Sequence, residues 1–476
     1  MGDASTPSMP IPQPVLQTPN FDEVSNDFLS WVKRQPGCWV HSGIEIKDAR
    51  SKDAGRSIFT TKDLDKDEEL LSVPEKEVLC VKNSKAKVFL GKDQRKNDPW
   101  FCMIVVMIYE YLQGPKSKWA SYFEILPTTF DTLMYWNDDE LRELEGSAII
   151  NKIGKAEAEE TFRTSLVPLL LKHSKFFPPA GNMPSFDTPD GLDAILSLAH
   201  RMGSLIMAYA FEMGVDDNNS PAQKAMVPLA DLFNADGEDY RNVHLCWEPG
   251  RFYMVTTCPV RKGEELFNDY GELSKADLLR RYGYASYYYP NALDLSFTSI
   301  CNLAGVALDD PKIKFLDSYN LLEDEYTLEP IFENVPWSLP IRLYILIQVL
   351  QASRDEFYQI KSNPHVLAQD PPFEVNKAGA CFLAKLLTQR LENCSTIDED
   401  GDLLEGFDMG DQISPNNNIS WQRYKMAVEV RHGEKELANE WLSALEPLIS
   451  KPEKPLNFNK RMASELTNTA KRPKNN

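Results

Sequence analysis

The chain has 476 residues, of which 42% are hydrophobic and 11% aromatic, so it is long enough for two or three domains with ordinary cores. Its 71 Asp and Glu residues outnumber its 51 Lys and Arg residues, and the net charge of −20 argues against direct binding to nucleic acid. No window holds the roughly 18 uncharged apolar residues of a membrane helix, and residues 1–20 lack the apolar stretch of a signal peptide. We therefore expect a soluble protein that is not secreted.

The sequence indicates no metal site. Its eight cysteines and six histidines are scattered, without a C-x-C, C-x-x-C, H-x-H or H-E-x-x-H pattern. A zinc cluster and a disulfide framework are therefore both unexpected. Unpaired, dispersed thiols are typical of a reducing compartment.

The first part of the chain predicts one helix and a small β unit. Residues 1–20 are Pro-rich and polar, which favours a disordered leader. Apolar residues at helical spacing in residues 21–33, with acidic residues early, predict an amphipathic helix. Short strand-like runs between Ile44 and Val81 are separated by Asp, Gly and Lys. We predict that residues 21–99 form an N-terminal helix and the first half of a split domain.

Helical periodicity dominates the middle of the chain. Helices are predicted at residues 100–112, 138–145, 157–171 and 192–211. Residues 215–223 (VDDNNSPAQ) have the composition of a loop. Because the helical region separates two blocks of strand-like sequence, we predict that residues 100–222 are a helical insertion.

Strand texture returns in residues 223–295 and gives way to helices. The predicted strands lie at residues 226–232, 244–247, 252–256 and 265–268. We predict an all-α domain at residues 296–455 and a basic polar tail at residues 456–476. Within that domain, residues 398–411 are predicted to form a solvated acidic loop. Their DEDGD run resembles a calcium loop, but Leu403 stands where an EF-hand needs glycine.

Three short segments carry residues suited to chemistry. Gly55 precedes a predicted strand, where glycine either forms a turn or lets the backbone approach a ligand closely. Asn234 ends an apolar run, residues 226–234 (MVPLADLFN), and its amide can clamp a ligand or cap a turn. Tyr270 lies near the end of residues 263–271 (GEELFNDYG), as a core or a site residue. From these residues alone both interpretations stay open at each position.

In this order, these segments resemble the SET domain of the Rubisco large-subunit methyltransferase branch of protein lysine methyltransferases. The resemblance rests on Gly55 with its strand, residues 227–234 (VPLADLFN), residues 267–271 (FNDYG) and residues 278–284 (LLRRYGY). It covers most of the chain, with further similarity at residues 28–31, 204–211, 420–421 and 430–433. Within the branch, the sequence is most similar to fungal ribosomal lysine methyltransferases and to their animal relative that methylates a transcription-factor lysine.

The resemblance implies an α+β fold, a SET domain of small β-sheets with a knot-like motif. The helical insertion at residues 100–222 would split this domain into halves at residues 21–99 and 223–295. The all-α domain at residues 296–455 would bind the substrate. The lack of cysteine clusters fits this branch, which closes its site with a helical domain. We expect the two core segments to lie side by side, with the chain passing through a loop.

The resemblance also implies that the cofactor is S-adenosylmethionine. Carried over by position, the cofactor site comprises Ala54, Gly55, Arg56, Trp100, Tyr209, Asn234, Ala235 and Tyr270. Asn234 corresponds to the Asn of the family's Asn-His pair, and Ala235 stands in place of the His. This replacement removes one side chain from the adenine site but leaves the backbone groups of Ala235 available.

Methyl transfer from a sulfonium to a lysine explains the residue types expected at the site. The in-line displacement needs an uncharged amine, although free lysine has a pKa of about 10.4. A dry aromatic channel and the nearby positive sulfur both disfavour the ammonium. Tyr270, as the catalytic residue, would orient the amine, and Tyr282 and Tyr284 would form walls of the substrate channel. Because alignment of the reactants supplies most of the acceleration, no metal is required.

We therefore predict an S-adenosylmethionine-dependent protein-lysine N-methyltransferase. The expected partner is a basic protein, with a large-subunit ribosomal protein as the leading substrate, and the enzyme is expected to be a monomer that contacts neither nucleic acid nor membrane. Two alternatives stay open: methylation of another acceptor, such as a histidine or a lysine of a nuclear regulator, and a non-catalytic SET scaffold. Lys471, Arg472 and Lys474 in the tail favour residence in the nucleus and the cytoplasm.

Overall fold

A computed structural model describes the chain in seven stretches. They are residues 21–49, 55–91, 98–213, 223–331, 339–367, 375–392 and 395–450. The predicted leader, nearly all of the loop predicted at residues 215–223, and the basic tail lie outside the described residues. None of the described helices combines the length and the apolar character needed to cross a membrane.

The described chain contains helices and short strands. The helices are α1 (Phe21–Arg34), α2 (Pro99–Leu112), α3 (Ala120–Ile125), α4 (Asp138–Arg142), α5 (Lys155–Thr161), α6 (Val167–Lys172), α7 (Pro189–Tyr209), α8 (Lys275–Tyr282), α9 (Phe297–Ala304), α10 (Pro311–Ser318), α11 (Ile341–Gln351), α12 (Arg354–Ser362), α13 (Lys377–Leu391), α14 (Ile397–Asp408) and α15 (Trp421–Ser450). The strands are β1 (Trp39–Val40), β2 (Ile44–Asp48), β3 (Arg56–Thr60), β4 (Glu69–Pro74), β5 (Leu79–Cys80), β6 (Ala210–Met213), β7 (Gln223–Met226), β8 (Val243–Glu248), β9 (Arg251–Thr256), β10 (Leu293–Ser296) and β11 (Glu325–Leu328).

The chain divides into two compact units. Unit 1 comprises Met1–Tyr135, Gly154–Glu272 and Arg281–Gly283, and unit 2 comprises Trp136–Ile153, Leu273–Arg280 and Tyr284–Asn476. Residues 136–153, which the sequence analysis assigned to the helical insertion, thus belong to unit 2. The reason is ionic: Glu140 and Glu143 pair with Arg423 and Arg431 of α15, each at 2.8 Å.

The described strands of unit 1 form small antiparallel sheets. A four-stranded sheet has the order β1-β4-β9-β8, a three-stranded sheet the order β5-β7-β6, and β2 pairs with β3. Strand β9 alternates half-buried and buried residues, so Phe252, Met254 and Thr256 face the core. Small sheets of this kind, packed with helices around one core, confirm the predicted α+β class.

Two helices of the insertion pack closely in unit 1. Helix α2 begins at a capping residue, Asp98, whose carboxylate accepts the N–H of Phe101 at 3.0 Å. It is apolar nearly all round, which is typical of a buried helix. Helix α7 presents Gly203 to α2, where a Cβ atom would lie 2.8 Å from the ring of Trp100. The glycine therefore permits the close approach of the two helices.

Several predicted boundaries in unit 1 are wrong. The helix predicted to residue 211 ends at Tyr209, because Ala210–Met213 pairs with β7 as strand β6. The strand predicted at residues 226–232 ends at Met226, and a short 3-10 helix, Ala230–Leu232, follows. Leu229 has a φ of +75°, a backbone conformation that a regular strand does not adopt. Residues 265–268 form only an isolated bridge, between Glu265 and Phe59.

The two core segments run beside each other, as the sequence predicts. The N–H of Leu266 donates to the carbonyl of Ile58 at 2.8 Å, which joins the second segment to β3. The N–H of Asn268 donates to the carbonyl of Asn234 at 2.7 Å, which joins it to the first. Backbone hydrogen bonds therefore join β3 and the two core segments, which lie far apart in sequence.

Unit 2 is predominantly helical, but it is not all-α. Strand β11 pairs with β10, from Leu293 opposite Leu328 to Ser296 opposite Glu325. The alternating burial of Tyr326 and Leu328 fits a half-buried strand. The prediction of an all-α domain failed here because the pairing partner, β10, lies just before the predicted boundary at residue 296.

The stretch predicted as a solvated acidic loop, residues 398–411, is largely helix α14. Thr396 caps this helix, and its backbone N–H donates to Oε2 of Glu399 at 2.7 Å. Acidic residues in a first helical turn also favour the helix dipole. Asp400 is fully buried and pairs with Arg431 at 2.8 Å and Lys435 at 2.5 Å. The prediction was wrong because these cationic partners lie on α15.

Candidate active site

A cavity of about 190 Å³ lies in unit 1 at the end of α7 and beside both core segments. We call it the tyrosine cavity. Its aromatic lining consists of Tyr209, Phe211, Phe233, Tyr270 and Tyr282. Its carboxylates are Glu212, Asp231 and Asp269. Three tyrosines that the sequence analysis predicts as site residues therefore line one cavity: Tyr209, Tyr270 and Tyr282.

Tyr270 and Tyr282 form a parallel stack in this cavity. Their ring centroids are 4.1 Å apart and their planes differ by 5°. A glycine follows each tyrosine, with a φ of +86° at Gly271 and +81° at Gly283. A Cβ at Gly283 would lie 2.7 Å from the backbone nitrogen of Thr132, so a side chain has no room there. The glycines let the chain turn sharply while both rings stay in the cavity.

Asp269 fixes the turn that carries Tyr270. Its Oδ1 accepts the backbone N–H of Gly271 at 2.7 Å. Its Oδ2 pairs with the guanidinium of Arg241 at 2.8 Å. Because both carboxylate oxygens are engaged, Asp269 is a neutralised structural support for the catalytic tyrosine predicted from the sequence.

Asp231 is a second carboxylate of the cavity, and its surroundings differ. The phenol of Tyr122 donates to its Oδ2, and its Oδ1 is buried. Burial raises the pKa of Asp231 to about 7, and hydrogen bonds from Tyr122 and nearby backbone N–H groups partly oppose this rise. Burial, with added repulsion from Asp231, also raises the pKa of Tyr209 to about 12. At neutral pH Tyr209 is therefore an uncharged phenol.

Asn234 joins the two ends of the predicted cofactor site. Its Nδ2 donates to Ser57 Oγ at 2.8 Å, to the carbonyl of Arg56 at 3.3 Å and to Glu265 Oε1 at 3.1 Å. These contacts hold the start of β3 beside the second core segment. The structure thus brings Asn234 to the Gly55–Arg56 backbone that the sequence predicted as its companion.

The backbone at Gly55 is open, whereas the side chain of Arg56 is engaged elsewhere. No described atom lies within 4 Å of the position that a Cβ of Gly55 would occupy, and its φ is +66°. Arg56 Nε donates to Ser25 Oγ at 3.2 Å, and its guanidinium lies 4.3 Å from the ring centroid of Phe21. Only the backbone of Arg56 is therefore presented toward Asn234. Ala54 lies outside the described residues.

The remaining predicted site residues lie apart from the lining of the tyrosine cavity. Trp100 stacks on Phe162, with ring centroids 5.8 Å apart, and packs against Gly203. Ala235 is buried next to Asn234. Tyr284 is half-buried in unit 2. The roles assigned to these residues by resemblance stay predictions.

Sequence reasoning missed Asp231 and Tyr122. Asp231 was visible as a carboxylate inside an otherwise apolar run, which indicates a paired or functional charge. Tyr122 gave no signal, because it lies 109 residues away on α3. Only the folded chain places its phenol on the carboxylate.

We expect Asn234→Ala to lower the free energy of unfolding by about 1–3 kcal/mol, because the acceptors at Ser57, Arg56 and Glu265 lose a half-buried donor. Chemical denaturation measures this change, with exposed Asn302→Ala as the matched control, expected to stay within about 0.5 kcal/mol of the wild type. Unchanged stability of Asn234→Ala would contradict the joining role. A cofactor titration of the folded variant then tests the predicted contact between Asn234 and S-adenosylmethionine. If the contact exists, the variant should bind the cofactor more weakly than the wild type.

Comparison with known proteins places these residues in a family context. The sequence model of the SET domain family matches residues 55–271. Ribosomal lysine N-methyltransferase 4 of Saccharomyces cerevisiae is 30% identical over 291 residues, which are 56% of this chain and 56% of the yeast protein. N-lysine methyltransferase setd6 of Xenopus laevis is 25% identical over 332 residues, 64% of this chain and 69% of that protein. The chain thus spans little more than half the length of the yeast relative.

Solved structures share the fold. The SET domain of LSMT bound to lysine and AdoHcy has a TM-score of 0.65 at 18% identity and covers 89% of this chain and 91% of its own. Rubisco LSMT bound to AdoMet has a TM-score of 0.64 at 19% identity, with coverage of 90% and 92%. The SET fold predicted from the sequence is therefore confirmed.

Proposed function

Because residues 55–271 match the SET domain, we propose that the chain is an S-adenosylmethionine-dependent protein-lysine N-methyltransferase. The observation that carries this proposal is the tyrosine cavity, where Tyr270 and Tyr282 stack at 4.1 Å beside both core segments. Two relatives, the yeast and the frog protein described above, are named as lysine methyltransferases. An aromatic cavity beside two SET core segments suits the entry of an aliphatic lysine chain.

The backbone at β3 fits the proposed cofactor. The space beside Gly55 contains no described atom within 4 Å of the Cβ position, and Asn234 holds the neighbouring carbonyl of Arg56. Gly55, Arg56, Asn234 and the backbone of Ala235 would hold S-adenosylmethionine. When bound, the cofactor supplies a methyl group on a positively charged sulfur.

The cavity residues would prepare the acceptor amine. The aromatic lining would disfavour a charged ammonium, which must lose a proton before it can attack. The hydroxyl of Tyr270 would accept or donate one hydrogen bond at the amine. This bond would orient the lone pair of the amine nitrogen toward the methyl group of the cofactor. The fixed turn at Gly271 and Asp269 keeps this hydroxyl in place, so alignment supplies most of the acceleration.

We further infer that the substrate is a basic protein, with a large-subunit ribosomal protein as the leading candidate. The net charge of −20 favours encounter with a cationic partner. The name of the yeast relative supports the ribosomal assignment. Large ribosomal subunits purified from cells that lack this protein should accept label from the cofactor, whereas subunits from wild-type cells should accept little. Equal labelling of both would argue for a different substrate.

Calorimetric titration with S-adenosylmethionine tests the proposed activity against the scaffold alternative. A methyltransferase must bind the cofactor with one site per chain, and the heat of binding should disappear when S-adenosylhomocysteine already fills the site. A folded protein that binds neither compound would support a non-catalytic SET scaffold instead.

We also propose residence in the nucleus and the cytoplasm, with Lys471, Arg472 and Lys474 as part of an import signal. New ribosomal proteins and transcription regulators both pass through the nucleus, so either substrate fits this residence. Fluorescent fusions with and without residues 470–476 should differ, with a lower nuclear signal in the truncated protein. Equal nuclear intensity of the two fusions would show that residues 470–476 are not the import signal.

A further inference from the structure

Three segments of unit 1 are rich in lysine and contain no aspartate or glutamate. They are residues 82–91, 111–119 and 167–180, and together they hold seven lysines. Segments of this composition are a local exception in a chain with a net charge of −20. All seven lysine side chains are exposed: Lys82, Lys85, Lys87, Lys116, Lys118, Lys172 and Lys175.

The fold brings these three segments together. Glu110 of α2 is buried, and its two carboxylate oxygens accept from the hydroxyls of Ser84 and Ser117, each at 2.7 Å. This carboxylate therefore joins the first segment to the second. The amide of Gln113 donates to the carbonyl of Phe176 at 3.2 Å, which joins the second segment to the third. We call the exposed surface of the three segments the lysine face.

Aromatic rings lie among these lysines. The ring centroid of Phe89 lies 5.0 Å from that of His173 and 5.0 Å from that of Phe176, which joins the first segment to the third. Phe176 is 53% exposed, so part of its ring is open to solvent. The lysine face therefore offers an open aromatic ring as well as positive charge.

Most lysines of this face have no neutralising partner. Lys82 pairs with Glu75 at 2.6 Å, and Lys118 pairs with Glu77 at 2.8 Å. The other five form no ion pair with a carboxylate in the part of the chain that the structure describes. Exposed charges act over about 8 Å at physiological salt, so acidic residues elsewhere in the chain do not cancel this local charge. The net charge, which predicts no contact with nucleic acid, therefore does not describe this face.

We propose that the lysine face binds single-stranded RNA, with its lysines at the phosphates and Phe176 stacked on a base. Lysine is a point charge that suits phosphates spaced along a strand, whatever the sequence. Stacking of a base on an aromatic ring is equally tolerant of sequence. This binding goes beyond the proposed function. Only the choice of RNA over DNA rests on it, because the proposed substrate belongs to a particle built largely of RNA.

Two other partners fit the lysine face less well. A helix that lies in a membrane surface is amphipathic and long enough to bury an apolar face. The α-helix at this face, α6, has six residues, and the 3-10 helix Lys85–Val88 has four. A run of acidic residues in a protein could pair with the lysines but has no ring to stack on Phe176. Single-stranded RNA uses both features of the face.

Fluorescence anisotropy of a labelled uridine oligomer with the full chain measures this binding. An oligomer of about 20 nucleotides is long enough to cross the face. If about five lysines contact phosphates, the affinity should fall about 10²-fold between about 50 mM and about 200 mM salt. An affinity that does not depend on salt would overturn the inference, as would the absence of binding at physiological salt.

A variant without four of the unpaired lysines tests where the RNA binds. Its substitutions are Lys85→Gln, Lys116→Gln, Lys172→Gln and Lys175→Gln. We expect its affinity to fall at least about tenfold and its salt dependence to flatten. The matched control carries the same change at four exposed lysines of unit 1 outside the face: Lys33, Lys66, Lys155 and Lys262. It should stay within about twofold of the wild type. Equal losses in the two variants, or wild-type affinity in the first, would contradict binding at this face.

Phe176→Leu separates stacking from charge. Leucine keeps an apolar side chain but has no π face, so the affinity should fall about fivefold or more while the salt dependence stays that of the wild type. Trp247→Leu, at an exposed ring of β8, is the control and should bind like the wild type. An unchanged affinity of Phe176→Leu would rule out the stacked base.

Competition identifies the class of partner. Unlabelled uridine oligomer should displace the labelled strand, whereas polyglutamate of equal length and phosphatidylserine vesicles should displace little. Displacement by polyglutamate or by vesicles as strong as that by the uridine oligomer would overturn the choice of RNA in favour of an acidic protein or a membrane. Tighter binding of a thymidine oligomer would overturn it in favour of DNA.

The two proposals fail in different ways, because RNA binding is measured without methyl transfer. If the wild type transfers label but does not bind the uridine oligomer, the role of the lysine face is overturned and the methyltransferase proposal stands. If the wild type neither binds S-adenosylmethionine nor transfers label, yet binds the oligomer at this face, the proposed function is overturned and RNA binding stands.

Discussion

We expect Tyr270→Phe to lower the proposed methyl transfer by at least about tenfold, near 1.4 kcal/mol of transition-state stabilisation, and to leave cofactor affinity little changed. The expected loss follows from the hydroxyl, which in the proposed mechanism would act on the amine as it attacks, whereas the ring would still stack on Tyr282. Rates of label transfer by the purified variant, together with a cofactor titration, measure both quantities.

The control for this substitution is Tyr358→Phe, which removes a hydroxyl from an exposed tyrosine of α12 in unit 2. Its transfer rate should equal that of the wild type. If pure, folded Tyr270→Phe also retained the wild-type rate, the catalytic assignment of Tyr270 would be lost. A large fall in cofactor affinity instead would make Tyr270 a binding residue.

Asp400→Ala should lower the free energy of unfolding of unit 2 by about 3–5 kcal/mol, because it leaves the buried Lys435 without its counter-ion and removes one of the two carboxylates that pair with Arg431. Lys435 Nζ lies 2.5 Å from Oδ2 of Asp400, and Arg431 Nη2 lies 2.8 Å from Oδ1. Chemical denaturation followed by circular dichroism measures the change. Asp402→Ala, on the exposed face of the same helix, is the matched control and should change stability by about 0.5 kcal/mol or less.

The effect of Asp400 should depend on pH. Burial alone would raise its pKa, but the hydrogen bonds from Arg431 and Lys435 outweigh burial and hold the pKa below its ordinary value. A depressed pKa in the folded state contributes stability above the unfolded pKa of about 3.9, and this contribution is lost as the pH falls through the folded value. The gap between wild type and Asp400→Ala should therefore narrow below about pH 4. A gap that widens in acid would contradict the ion-pair account.

The sequence was most informative where local pattern and chemistry coincide. Tyr270 stands before a glycine whose φ is +86°, and Asn234 ends an apolar run, so both could be selected from short segments. Their adjacency, through the hydrogen bond from Asn268 to Asn234, was predictable only from the family resemblance. The split-domain layout followed from the change between strand-like and helical texture along the chain, whereas the α+β class came from the resemblance.

What could not be predicted depends on partners far away in sequence. The phenol of Tyr122 meets Asp231 across 109 residues, and nothing in either segment specifies that pairing. The acidic run around Asp400 looks solvated until Lys435 and Arg431 of α15 are placed beside it. Strand β6 continues a helical pattern, and only pairing with β7 makes Ala210–Met213 extended. In each case tertiary contacts override the local signal.

The most direct test of the central claim is identification of the methylated residue. The purified protein is incubated with labelled S-adenosylmethionine and a lysate from cells that lack it, and the labelled proteins are hydrolysed to amino acids. The account predicts label in N-methylated lysine, with Tyr270→Phe as the inactive comparison. Label in methylated histidine alone, or no label above that of the variant, would contradict it.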